Sequence, residues 1–176
     1  MRKLSLNARM ALDAEDLGGE VFVVLFEVTH PDLEEGPIRL STDNADLISE
    51  DPDVYGTRST WRGADPASDP YLWIVASALL PSDQEDAPAA AQVVLENLDI
   101  EMTRLLRSFR TPATVNIAVV LAQTPDVIEA EYLGLELLSA DITETEIQLS
   151  LSRDEIELEP FPAGRMTRDR FPGLHL

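Results

Sequence analysis

The sequence runs to 176 residues, with 33 acids against 13 bases and a net charge of -20. That length suits one domain burying roughly two-thirds of its unfolded surface, and that charge argues against holding a phosphate backbone, so direct nucleic-acid binding is not expected. The chain contains 0 cysteines, which excludes disulfides, thiolate nucleophiles and Cys-based zinc sites.

Leu6 to Leu17 reads as a short helix with Ser5 as its N-cap and Gly18-Gly19 as its stop. Acids and polar groups interrupt what would be the apolar core of a secretory signal in this stretch, and no apolar run approaches the ~20 residues a membrane helix needs. The expectation is a soluble chain without membrane contact. Val21 to Thr29 is a β-branched and aromatic run bounded by Gly19 and His30-Pro31-Asp32, the pattern of a central strand, and Ile38 to Ser41 follows as its hairpin partner. From Thr42 to Pro70 the text is rich in Asp, Ser, Pro and Gly, and predicts a long loop with one short strand near Leu47 to Ser49. Long loops in compact domains commonly carry contacts. Tyr55 and Trp61 in it are candidate subunit-interface anchors, the alternative being that both rings cap the domain's own core.

Tyr71 to Leu80 reads as one strand ended by Pro81, and Ala91 to Leu98 as the next. Met102, Leu105, Leu106 and Phe109 then recur at i, i+3, i+4 and i+7 with Arg104, Arg107 and Arg110 toward the end, predicting an amphipathic helix over about 99–110. In the second half Val115, Ile117, Val119 and Leu121 share a face, Thr124-Pro125-Asp126 supplies a turn, and Leu133, Leu135 and Leu137 alternate within a long strand from Val127 to Ile142. Ile147, Leu149 and Leu151 alternate with Glu146, Gln148 and Ser150 in the cleanest half-buried pattern of the chain. The fold class expected is mainly β (α+β): an antiparallel β-sandwich or partly open barrel of about seven strands, with the N-terminal helix and the amphipathic helix. The domain division expected is a helical extension at 1–19, a β-sandwich-like domain at 20–158 with a long loop at 42–70, and an extended C-terminal arm at 159–176.

Chemistry is sparse. His30 sits in a turn and His175 near the end, neither in a nucleophile spacing, and both read as ordinary turn or surface histidines. Glycine-rich phosphate loops are absent. Asp43, Asp46, Asp51 and Asp53 cluster, but without the alternating ligands and central glycine of a calcium loop. No cofactor, metal or enzymatic activity is expected. The arm instead carries anchors. Phe161-Pro162 and Phe171-Pro172 present two phenylalanines on stiff backbone. Arg165, Arg168 and Arg170 stand against the single acid Asp169, making the arm locally basic on an acidic body. With Leu174, these are subunit-interface candidates, docking in cis over the chain's own sheet or in trans on a neighbour.

Four segments, THPDL with PIRL near Thr29 to Leu40, AAQVVLENLDIEM followed by LLRSF, PATVNIAVVLAQTPDVIEA, and the ending EPFPAGRMTRDRFPGL, resemble a family of domains of unknown function encoded in siphophage tail modules just after the tape-measure gene. The resemblance runs from about Val21 onward; the N-terminal helix and a longer Glu50 to Asp69 stretch depart from the family. It implies a structural component of the tail tip or baseplate, a distal-tail-like ring subunit linking tail tube to hub. Gene-transfer-agent particles contain comparable parts. The partners implied are copies of itself in a ring and the tail tube, hub and tape-measure proteins, in a virion made in the bacterial cytoplasm. The alternative is a tail-assembly chaperone or adaptor missing from the mature virion.

Overall fold

The structure is a computed structural model, describing residues 4–13, 20–33, 36–80, 90–96 and 111–152. The expected amphipathic helix at 99–110 and the arm at 159–176 lie outside the described residues. The first element is a helix, α1, over Leu6–Asp13. Ser5 starts it as expected: its Oγ accepts the Ala8 N–H at 3.1 Å. The Ser5 N–H itself donates to Glu129 Oε2 at 2.8 Å, which ties the helix to the sheet.

All the described strands belong to one sheet. They are β1 (Phe22–Thr29), β2 (Ile38–Ser41), β3 (Asp46–Glu50), β4 (Asp53–Thr57), β5 (Tyr71–Trp73), β6 (Ala76–Leu79), β7 (Ala90–Glu96), β8 (Thr114–Leu121), β9 (Thr124–Ile142) and β10 (Glu146–Ser152). The described strands form a 10-stranded sheet in the order β3-β4-β5-β2-β1-β8-β9-β10-β7-β6. Neighbours pair antiparallel except β2 and β5, which run parallel. The chain is thus mainly β.

The centre of the sheet explains the long apolar run of β1. Phe26 packs with Val115, Ile117, Leu135, Ile147, Leu149 and Leu151 in the main core, while Val23 and Leu25, on the opposite face, pack with Trp61, Tyr71, Ala118 and Val120 in a second one. A strand covered on both faces needs apolar residues at nearly every position, so period-2 alternation is lost. β10 is covered on one face, and its alternation survives: Ile147, Leu149 and Leu151 are buried, while Glu146 and Gln148 are exposed.

Four expectations are corrected. The 42–70 segment is not a loop with one short strand but a hairpin, β3 and β4, turning at Asp51-Pro52, followed by a 3-10 turn at Trp61–Gly63. The turn expected at Thr124-Pro125-Asp126 sits at Ala122–Gln123, because Thr124 already pairs with Leu121 at the start of β9. Leu133 does not share a face with Leu135: the β8–β9 register shifts between Val115 and Ile117, Gly134 takes φ 66°, and Tyr132 turns inward in place of Leu133. Finally, Tyr71 to Leu80 is not one strand with one set of partners. β5 bonds β2 and β4, β6 bonds β7, and they stand third and tenth in the sheet.

Only Ile74 and Val75 join them. Three Cα steps reach at most about 11 Å, whereas seven inter-strand steps of about 4.8 Å measure about 34 Å across a flat sheet. The sheet is therefore strongly curved. The link itself touches both sides, Ile74 N–H donating to Ser41 O at 2.9 Å and Glu96 N–H to Val75 O at 3.0 Å.

Candidate functional site

The segment between β4 and β5 determines which part of the outer sheet face stays open. Trp61 is its plug: buried at 7% exposure, its ring lies 5.9 Å from the Tyr71 ring, and its Nε1 donates to Glu131 Oε1 at 2.8 Å. Tyr71 Oη returns a hydrogen bond to Trp61 O at 2.8 Å. Burial pushes the Tyr71 phenol up to about 12, against a smaller lowering by its hydrogen bond from Arg39. Asp126 on β9 accepts from Thr60 N at 2.7 Å, Thr60 Oγ1 at 2.9 Å and Ser59 Oγ at 3.2 Å. The Thr60 backbone bond, then its hydroxyl, hold the Asp126 carboxyl below the usual carboxylate range.

A buried polar cluster fastens the same segment from the other side. Glu27 on β1, only 3% exposed, is met by Arg62 Nε at 3.0 Å, Asn116 Nδ2 at 2.9 Å and Arg39 at 3.5 Å. Arg39 also pairs with Asp69, and Asn116 Oδ1 accepts the Gly134 N–H at 2.9 Å. Arg62 holds φ 55°, a left-handed conformation that costs a non-glycine residue about 1–2 kcal/mol. Its bond to a buried carboxylate offsets that strain. With Glu27 and Asp69 opposing two arginines, this cluster is a fastening of balanced charge.

Beyond the plug no described element covers the same face. Gly56 and Leu72, then Thr57 and Tyr71, are opposed between β4 and β5, so alternation puts Tyr55 and Trp73 on the face of Thr57 and Tyr71. Leu47 of β3 stands directly opposite Tyr55. The outcome is an apolar row across three strands, Leu47, Tyr55 and Trp73, with exposures of 42%, 39% and 40%. An irregularity between Leu47 and Ser49 brings Glu50 onto this face opposite Asp53. Two exposed carboxylates directly opposed across a ladder repel one another. No base occurs from Thr42 to Thr57, whereas Asp43, Asp46, Glu50, Asp51 and Asp53 do. β3 pairs only with β4 among the described strands, leaving its outer edge open beside the row.

Of the residues picked from sequence, Tyr55 is on this surface. Trp61 is a correction: its ring lies inside the chain's own second core, because the outer face of β1 and β8 needs a large apolar cover there, so it is no exposed anchor. Phe161, Arg165, Arg168, Arg170, Phe171 and Leu174 lie outside the described residues. Sequence reasoning misses Trp73 and Leu47; Trp73 lies in a run that reads as a buried strand throughout. His30 is a buried turn residue, its Nε2 2.8 Å from Thr111 Oγ1 and its Nδ1 accepting the Asp32 N–H at 3.1 Å. Among the described residues no three His, Asp or Glu side chains gather as a metal site, and no helix is long and apolar enough to cross a membrane. No protein-family model matches the chain, and no curated protein matches it either.

Proposed function

We propose that the chain is a structural subunit of a siphophage-type tail tip or baseplate, a distal-tail-like ring component that links tail tube to hub by assembling with copies of itself. The observation that carries this reading is the exposed row Leu47–Tyr55–Trp73 beside an open strand edge, in a chain of net charge -20. Contiguous exposed apolar side chains rimmed by polar ones mark interaction surfaces. Open edges invite completion by a neighbour. The sequence resemblance to tail-module domains supplies the setting.

The curvature of the sheet supports a finer reading of its shape. With Tyr71 to Leu79 taken as one bent strand bonding Ser41 of β2 and β7 alike, the strands β2, β1, β8, β9, β10 and β7 form with it a partly closed barrel, and β3–β4 is a flap beside its rim. A ring of such bodies, with part of the -20 charge facing its lumen, would let DNA pass without sticking.

Mass spectrometry of purified particles together with electron microscopy of the tail tests the proposal. The expected result is stoichiometric presence at the distal end of the tube. Absence from mature particles despite a need for the gene in assembly would favour a chaperone or adaptor instead.

A further inference from the structure

We propose that the row Leu47–Tyr55–Trp73 is the receptor for the C-terminal segment, residues 159–176, of a second copy of this chain. This deepens the self-assembly reading above and rests on it. The described residues leave the three side chains 39–42% exposed, and in the proposed assembly a second copy covers them. The chemistry of that cover is fixed by what surrounds the row. Glu50 opposes Asp53 on the same face, and no base lies from Thr42 to Thr57; Arg58, just beyond, donates to the carbonyls of Pro66 at 2.8 Å and Leu47 at 3.5 Å. An occupant must therefore bring apolar bulk and positive charge together.

The segment 159–176 has that composition. Phe161 and Phe171 supply the bulk, and Arg165, Arg168 and Arg170 against Asp169 supply the charge. Guanidinium groups suit the site because their planar donors bridge paired carboxylates. The backbone fits as well: the stretch between Pro162 and Pro172 is free of proline, and it exceeds the length of the 5-residue β3. In the bound state this stretch adds to the open edge of β3, side chains reaching over to Tyr55 and Trp73. Each copy then gives one segment and receives another, a head-to-tail contact that closes into a ring when the rotation allows.

The test uses the full chain in sedimentation velocity across concentration and salt. Variant one carries Arg165→Glu, Arg168→Glu and Arg170→Glu; variant two carries Glu50→Arg and Asp53→Arg at exposed positions; variant three carries Tyr55→Ser and Trp73→Ser. Circular dichroism checks that each retains its β spectrum. Each variant alone is expected to self-associate at least ten-fold more weakly than the natural chain. Variants one and two mixed in equal amounts are expected to regain assembly, because each then offers a segment of opposite charge to the other's face. Assembly that persists unchanged in variants one and two overturns the inference while leaving the tail reading intact. A natural chain that stays monomeric overturns it too. Absence of the chain from purified particles sinks the tail reading alone, whatever the association shows.

Discussion

Replacing Glu27 by Gln removes one charge from the fastening under the 58–70 segment and leaves its shape. The Glu27 side chain is 4% exposed and the Arg39 side chain 6%, so the pair is cut off from water. Breaking a buried pair by removing one partner costs about 3–5 kcal/mol, since the remaining charge stays buried. Arg39 keeps Asp69, whose side chain is 49% exposed, and a glutamine oxygen can still accept one bond. The lower end, about 3 kcal/mol, is expected. Arg62 is the internal control. Its side chain is 43% exposed, so its ion pair contributes at most about 1 kcal/mol, and glycine there also relieves the left-handed strain of about 1–2 kcal/mol. Arg62→Gly should therefore fall within about 1 kcal/mol of the natural chain. Urea unfolding followed by the fluorescence of Trp61, with Trp73→Phe as the common background, reads both. If Glu27→Gln costs under about 1 kcal/mol, or Arg62→Gly costs more than Glu27→Gln, the fastening argument is wrong.

A Cβ added at Gly56 overlaps the Tyr71 carbonyl oxygen and lies 3.1 Å from its carbon, so Gly56→Ala should force β4 off β5 and lower stability by about 2 kcal/mol or more in the same assay. Ser5→Ala deletes the cap on α1 and should cost about 1 kcal/mol, seen first as faster amide exchange at Ala8. Tyr71 ionises at about 12 when folded against an ordinary 10.0, so the folded state holds the proton more tightly; the stability this supplies is complete below pH 10 and lost as pH rises toward 12. Stability profiles from pH 9 to 12 should be flatter for Tyr71→Phe, and an unchanged slope would refute this. Asp126 has the opposite sign: its lowered carboxyl stabilises above pH 3.8 and ceases to do so as pH falls, so Asp126→Asn should weaken the acid dependence of unfolding.

What can be read from sequence follows from how local each signal is. Ser5 announces α1 because a cap acts over three residues, and β10 announces itself because its one buried face keeps the period of two. β2 is legible at Ile38 to Ser41 from its neighbours in the chain, and there it lies. The hairpin of β3 and β4 is hidden by the irregularity after Leu47 and by acids on its exposed positions, which together resemble loop text. The run from Tyr71 to Leu80 gives no sign of its change of partners, since an apolar residue satisfies either side of the bend. Most of the candidate surface is illegible for the same reason. Tyr55 and Trp61 look alike in sequence, and only the pairing of β1 with β8 decides that Trp61 is needed as cover. The Glu27 cluster joins residues 35 and 89 positions apart, a relation that no local window contains.

The two-residue link at Ile74–Val75 also sets an order of events. β8, β9 and β10 are neighbours in sequence and can zip together early, whereas Thr29 meets Thr114 across 85 positions and Tyr71 to Leu79 must find β2 and β7 both. Architectures dominated by such distant pairings fold over milliseconds to seconds, because loop closure comes before the contacts that reward it. Through that interval the apolar strands of the core and the open β3 edge are exposed to pairing with other unfinished chains. The surplus of 33 acids over 13 bases works against that hazard, since mutual repulsion keeps unfinished chains apart while the distant strands find one another.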